Sequence, residues 1–286
     1  MGCDLAPDRS ANRVPPPHTD PLEELVCAME AELFDEMWQV EQSHWWFVAR
    51  RRIVESLVER YAPDNTDRPM RLCELGCGTG GNLAHWNKRH EVFGMDNSRR
   101  ALEYASKRVG ARVELGALPD DVPFEPSSFD VVLMTDVLEH IEDDVNSVQV
   151  AMSLLQKNGI FVATVPAHQW LYSPRDAHHQ HFRRYAKKDF TRLFQFPGVE
   201  VEYLGFYNSL LFPPAAIVRM ASKLFGRDAQ PGDLQVPFGL LNKTLTGIFS
   251  LERKLLGRVP LPTGLSLITV VRRTGEVSAC RARAAA

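Results

Sequence analysis

Arg71-Leu72-Cys73-Glu74-Leu75-Gly76-Cys77-Gly78-Thr79-Gly80 is an apolar run that breaks into alternating glycines, and twenty residues past Gly76 a second apolar run, Val92-Phe93-Gly94-Met95, closes on Asp96. An apolar strand, a glycine turn and a helix start make a cradle for a nucleoside, and an acid at the tip of the next strand holds a ribose. Gly76 and Gly78 can take backbone angles closed to other residues and let the main chain come close to a ligand. The spacing from Gly76 to Asp96 fits one βαβ step. Gly76, Gly78 and Gly81 also satisfy the dinucleotide pattern G-x-G-x-x-G, so this string leaves two cofactor classes open.

Two details favour S-adenosylmethionine (SAM) over a nicotinamide dinucleotide. Glu74 sits two residues before the first glycine, where a pyrophosphate would be repelled but a cationic amine and sulfonium are welcome. Downstream, Phe129-Asp130-Val131-Val132-Leu133-Met134-Thr135-Asp136-Val137-Leu138-Glu139-His140-Ile141 reads as a buried strand that ends in polar residues. The nicotinamide alternative also lacks a Tyr-x-x-x-Lys pair, because Tyr185 is followed by Asp189 and Tyr104 by Arg108. A non-catalytic scaffold is the other alternative, and the intact acids Glu74, Asp96 and Asp136 argue against it.

Glu74 to Gly80, Gly94-Met95-Asp96, Leu118 to Phe124, and Phe129 through Asp136 to His140 together resemble class I SAM-dependent methyltransferases, nearest the ubiquinone/menaquinone-biosynthesis-like branch. The resemblance covers roughly residues 71–170. It implies a seven-stranded sheet, SAM as cofactor and methyl transfer. It also implies cofactor contacts from Glu74, Gly76, Cys77, Gly78 and Gly80, from Asp96 and Asn97, and from Asp136 and Val137. The family's adenine-side turn falls on Gly116-Ala117-Leu118. No acid stands there, so Ala117 and Leu118 would use backbone N–H groups and apolar packing, with Asp120 and Asp121 slightly later.

His140 follows the fourth strand and is the first choice for a general base, because an imidazole titrates near physiological pH; the bland alternative is a polar cap on the next helix. Tyr172 and His181 come next. The resemblance places His181, Arg183, Arg184 and Tyr185 along the acceptor pocket, with Trp170 nearby. Trp45-Trp46-Phe47, Arg50 and Arg51 resemble the helix that lies over the cofactor in such relatives, and they read equally well as a helix packed on the sheet. The substrate pocket is therefore expected from Trp46, Arg50, Trp170, Arg184 and Tyr185. His178, His179 and His181 beside Asp176 suggest a metal, but adjacent histidines in extended chain point opposite ways, and no metal is expected.

The 286 residues are 44% hydrophobic, enough for one substantial core, and the net charge of −3 argues against a general nucleic-acid binder. Five cysteines without a paired pattern suit a reducing compartment, and no targeting signal is convincing, so a cytoplasmic location is expected. The fold expected is α/β: a doubly wound seven-stranded Rossmann-like sheet with N-terminal helices and a helical insertion between the last two strands. Its parts are a disordered arm (1–20), an N-terminal helical lid (21–66, with helices at 21–33 and 42–61) and the SAM-binding core (67–206). An insertion or substrate cap (207–262), a last strand (263–274) and a disordered tail (275–286) follow. Gly159 is expected to end the helix before the fifth strand. Pro213-Pro214 interrupts the most apolar stretch of the insertion, so it does not span a bilayer. The partner expected is a small, partly apolar or lipid-like acceptor, with peripheral membrane contact as a variant.

Overall fold

The structure, a computed structural model, describes residues 32–63, 68–109, 112–225 and 236–277. Its centre is the run Phe129 to Thr135, strand β4, in which every residue is buried. A strand apolar on both faces needs a covered sheet, and parallel neighbours joined by helical crossovers supply one. β4 pairs in parallel with β1 (Arg71–Leu75) and with β5 (Leu155–Pro166). β2 (Glu91–Asp96) and β3 (Val113–Leu115) continue outward from β1. Beyond β5, β7 (Ser266–Arg273) runs antiparallel to both β5 and β6 (Val199–Tyr207), giving the order β3-β2-β1-β4-β5-β7-β6. The register brings the carboxyl ends of β1, β2 and β4 to one edge, so Gly76, Asp96 and Asp136 flank a common crevice.

Two apolar cores cover the two faces of the sheet. One joins Phe129, Phe161, Phe190 and Phe194 to α5 (Asp144–Leu154) and α7 (Lys187–Arg192). The other joins Ile53, Leu57, Trp86, Leu133, Ile268 and Phe249. Ile53 and Leu57 belong to α2 (Trp45–Tyr61), which turns its Ala49-Ile53-Leu57 stripe inward at helical spacing. α3 (Gly81–Trp86) and α4 (Arg99–Val109) complete the crossovers between β1, β2 and β3.

The segment between β6 and β7 is helical, with α8 (Phe212–Phe225) and α9 (Gly239–Leu251). α9 packs on α2. Trp45 N–H donates to Asn242 Oδ1 at 2.8 Å, Asn242 Nδ2 donates to the Ser43 carbonyl at 2.8 Å, and Phe249 is fully buried against Tyr207.

Several expectations need correction. A helix, α1, spans 32–40, where the sequence reading ended one at 33; residues 21–31 lie outside the described residues. The second helix starts at Trp45 rather than 42, capped by His44 Nδ1 accepting from Trp46 N–H. Gly159 does not end a helix. α5 stops at Leu154 and β5 begins at once, with Gly159 inside the strand, where a Cβ would meet the Asp130 carbonyl at 3.0 Å. The tail expectation begins too early: Thr274 and Gly275 donate to the Gly198 carbonyl at 2.9 and 3.1 Å, and Val277 is buried. Residues 1–31 and 278–286, which include the expected arm, lie outside the described residues.

Candidate active site

The glycine turn is fastened to β2 before any ligand is considered. Gly76 and Cys77 N–H both donate to the Met95 carbonyl, at 2.7 and 2.9 Å. Gly76 has φ +74°, and a Cβ there would lie 2.5 Å from Val137 Cγ2, so the turn closes only around glycine. Gly78 N–H donates to Asp96 Oδ2 at 2.8 Å, while Asp96 Oδ1 accepts from Ser98 N–H at 3.0 Å. Asp96 therefore links the turn to the start of α4 as well as standing at the ribose position. Asn97 beside it is exposed, and Cys77 is buried.

Glu74 lies beneath the turn, 1% exposed. Its Oε1 accepts from Asn82 Nδ2 at 2.6 Å and Thr135 Oγ1 at 3.1 Å, and its Oε2 has no hydrogen-bond partner. Burial raises its pKa to about 7, against the opposing pull of the Asn82 hydrogen bond and Arg50. An unpartnered buried carboxylate oxygen is costly, and a cationic amine is the group that would relieve it. Glu74, the 76–80 turn and Asp96 thus fit the charge and shape of SAM.

Asp136 adopts φ +58° at the end of β4, and Arg50 of α2 forms a salt bridge with it. The Arg50 guanidinium lies 4.4 Å from the Trp46 ring centroid, and its Nε is unpartnered. Arg50 thus reaches Asp136 from α2 with Trp46 against its guanidinium. α1 adds a strap that the sequence reading missed. Met37 reaches the turn, 3.3 Å from where a Cβ of Gly78 would stand. Glu41 accepts from Thr79 Oγ1 at 2.5 Å and pairs with Arg108. Trp38 stacks on Tyr104 at 4.8 Å. The signal that would have found α1 is Phe34, Met37, Trp38 and Glu41 at helical spacing.

The remaining candidates separate. Ala117 is exposed in a small bridge to Asp121, and Leu118 packs against the apolar core. Tyr172 donates its hydroxyl to the His181 carbonyl at 2.8 Å, which makes it a loop brace rather than a base. Arg184 is buried with Nε donating to Asp176 Oδ1 at 2.7 Å, and buried Tyr185 donates to Asp144 Oδ2 at 2.7 Å. These two residues spend their donors on the protein, which corrects their placement along the pocket. Trp170 is half exposed, with His168 and Phe212 against it and Phe206 stacked on His168. His140 and His181 come together with ring centroids 4.6 Å apart. The surrounding protein, then His181 and His179, lower the His140 pKa. The residue as a whole is exposed, and the lowered pKa leaves its imidazole neutral at pH 7. A base with a lowered pKa is weaker than the general-base reading expects.

Residues 73–163 match the methyltransferase domain family. The match covers that stretch and not the rest of the chain. The family and the fold imply SAM as its cofactor, in agreement with the acidic cradle. The chain is 29% identical over 124 residues to the ubiquinone biosynthesis O-methyltransferase of Pelagibacter ubique, covering 40% of this chain and 51% of that protein. It is 34% identical over 103 residues to the enzyme of the same description from Ralstonia nicotianae, covering 33% and 43%. The chain therefore spans about half the length of these relatives. The ajmaline N-methyltransferase of Rauvolfia serpentina is 24% identical over 218 residues, 69% of this chain and 72% of that one. Among solved structures, a SAM-dependent methyltransferase from Thermotoga maritima aligns with TM-score 0.53 at 16% identity, covering 86% and 98%. The [4+2]-cyclase SpnF aligns with TM-score 0.57 at 16% identity, covering 88% and 96%. At that identity the likeness is one of fold, and the cyclase shows that the fold hosts more than one chemistry.

Proposed function

We propose that this chain transfers the methyl group of SAM to a small, partly apolar or lipid-like acceptor held at the carboxyl end of β4 and β5. The observation that carries the proposal is the unpartnered Glu74 oxygen under a turn whose glycines are sterically required. A phosphate-bearing cofactor would meet that carboxylate unfavourably, which sets the nicotinamide alternative aside. The bound cofactor supplies an electrophilic methyl group on a sulfonium. The chain's task is to seat the acceptor in line with it, and positioning of this kind supplies roughly 7–11 kcal/mol.

Aromatic groups at the rim support an apolar acceptor. His168 stacks on Phe206 with centroids 5.2 Å apart, and Trp170 and Phe212 close the group. The relatives named above are described as O- and N-methyltransferases, and both reactions suit a site whose main work is placement. The test uses Asp96→Ala. It removes the acceptor of the Gly78 and Ser98 hydrogen bonds along with the ribose partner. Hydrogen bonds to a charged group are worth roughly 1.5–3 kcal/mol each, so SAM affinity by calorimetry should fall at least about tenfold. Unchanged affinity in the folded variant overturns the assignment of the cradle.

A further inference from the structure

We propose that Glu139, His140 and His181 form a binding site for one divalent transition-metal ion of the zinc type. The three residues come from two places. Glu139 and His140 lie in the short 3-10 turn after β4 (Leu138–His140), and His181 follows α6 (Pro174–His178). Each offers one ligand atom, and the three atoms lie within 4.8 Å of one another. The expectation of no metal came from His178 and His179 in extended chain. The fold instead brings His181 to a pair of residues about forty positions earlier, a convergence that spacing cannot show.

Three observations give the cluster the character of a site. Glu139 is 1% exposed, and its Oε2 has no hydrogen-bond partner, so a buried carboxylate lacks the cation or donor that would satisfy it. His181 is oriented from behind. Its Nδ1 meets Asp176 Oδ1 at 3.1 Å, and Asp176 is itself held by Arg184 Nε at 2.7 Å and Ser173 N–H at 2.9 Å. A carboxylate on one imidazole nitrogen is how outer groups fix metal-bound histidines, and it leaves His181 Nε2 for the ion. Glu139 is buried but His140 is an exposed residue, so the cluster lies at the protein surface.

Two imidazole nitrogens and one carboxylate suit zinc and its neighbours, whereas magnesium and calcium prefer oxygen ligands. Asp136 is committed to Arg50 and does not complete the set. Three protein ligands leave a coordination position open, as in catalytic rather than structural zinc sites. Resting on the methyltransferase reading, that open position would take a hydroxyl oxygen of the acceptor and lower its pKa, so that its proton passes to solvent water. Binding of the ion itself does not rest on that reading.

The test is titration of the full chain, stripped with chelator and free of SAM, with Zn²⁺ by calorimetry and with Co²⁺ by visible absorption. One equivalent should bind. His181→Ala and Glu139→Gln should abolish it, and Asp176→Asn should weaken it on the order of 10–100-fold. His178→Ala, a histidine outside the cluster, should leave it unchanged. Circular dichroism verifies that each variant is folded, and a single folded ligand variant suffices. No stoichiometric binding by the natural chain, or equal binding by folded His181→Ala, overturns the site. Failure here leaves the SAM cradle untouched, because Asp96→Ala reads that cradle separately.

Discussion

Glu74 has one oxygen satisfied by Asn82 and Thr135 and one with no partner, and burial raises its pKa from 4.5 to about 7. A raised carboxyl pKa means that the folded protein holds the proton longer than the unfolded chain does. Its contribution to stability is therefore greatest below pH 4.5, falls as pH rises toward 7, and is flat above that. A cationic amine placed on the free oxygen favours the ionised form and expels the proton. SAM binding near pH 7 should release a fraction of a proton, and the release should fade as the pH is raised past 8. Calorimetry in phosphate and in Tris, whose ionisation enthalpies differ, reads that fraction directly. Glu74→Gln should bind SAM more weakly and with no dependence on buffer. An equal buffer dependence in the variant would assign the proton to another group. The sequence showed the acid and its place before the glycines. It could not show that Asn82 and Thr135 would satisfy only half of it.

At the scale of elements, legibility followed the source of each boundary. β2 and β4 lie where the sequence reading put them, because a run of apolar residues bounded by charge or glycine has few other uses. Boundaries set by tertiary contact were less visible. α5 passes into β5 without a glycine stop because Leu155 already pairs with Phe129. α1 was hidden because its partners are remote: Arg100, Tyr104 and Arg108 on α4, and Thr79 on the glycine turn. The same remoteness makes α1 a strap across the cofactor cradle, fastened at a nearly buried ion pair between Glu41 and Arg108. Removing one partner of a buried pair leaves the other charge stranded, at a cost of about 3–5 kcal/mol. Glu41→Ala should therefore lower the melting temperature and raise amide exchange over residues 32–44. Exchange in β4 should change little. Uniform acceleration across the chain would show that α1 is an integral layer of the fold and not a separable strap.

Across the whole molecule, the proposed acceptor side was the least legible part, because the residues proposed for it come from four distant segments. Trp46 and Arg50 come from α2, the aromatic rim from the β5 and β6 ends, and the remainder from the segment between β6 and β7. Tyr185 and Arg184 looked like pocket residues by resemblance, yet their partners Asp144 and Asp176 hold them in the framework. The helical segment divides by face. α9 presses Phe249 and Asn242 onto α2, while Ile217, Val218, Met220, Phe238 and Leu240 are each more than half exposed. Neither α8 nor α9 contains an acidic residue, whereas both contain lysine or arginine. Among the described residues no helix is long and apolar enough to cross a membrane. An apolar face with basic and no acidic side chains suits the surface of an anionic bilayer, where buried apolar area and charge attraction add. Excising 207–262 would also remove Phe249 from the core, so point changes are the cleaner probe. The intact chain should float with vesicles rich in phosphatidylglycerol and much less with phosphatidylcholine alone. The double variant Ile217→Glu, Leu240→Glu should lose flotation while keeping SAM affinity, since neither side chain contributes to the cradle. A double variant that floats as well as the natural chain would place the membrane contact on another surface, and a natural chain that does not float would leave these helices as a soluble cap.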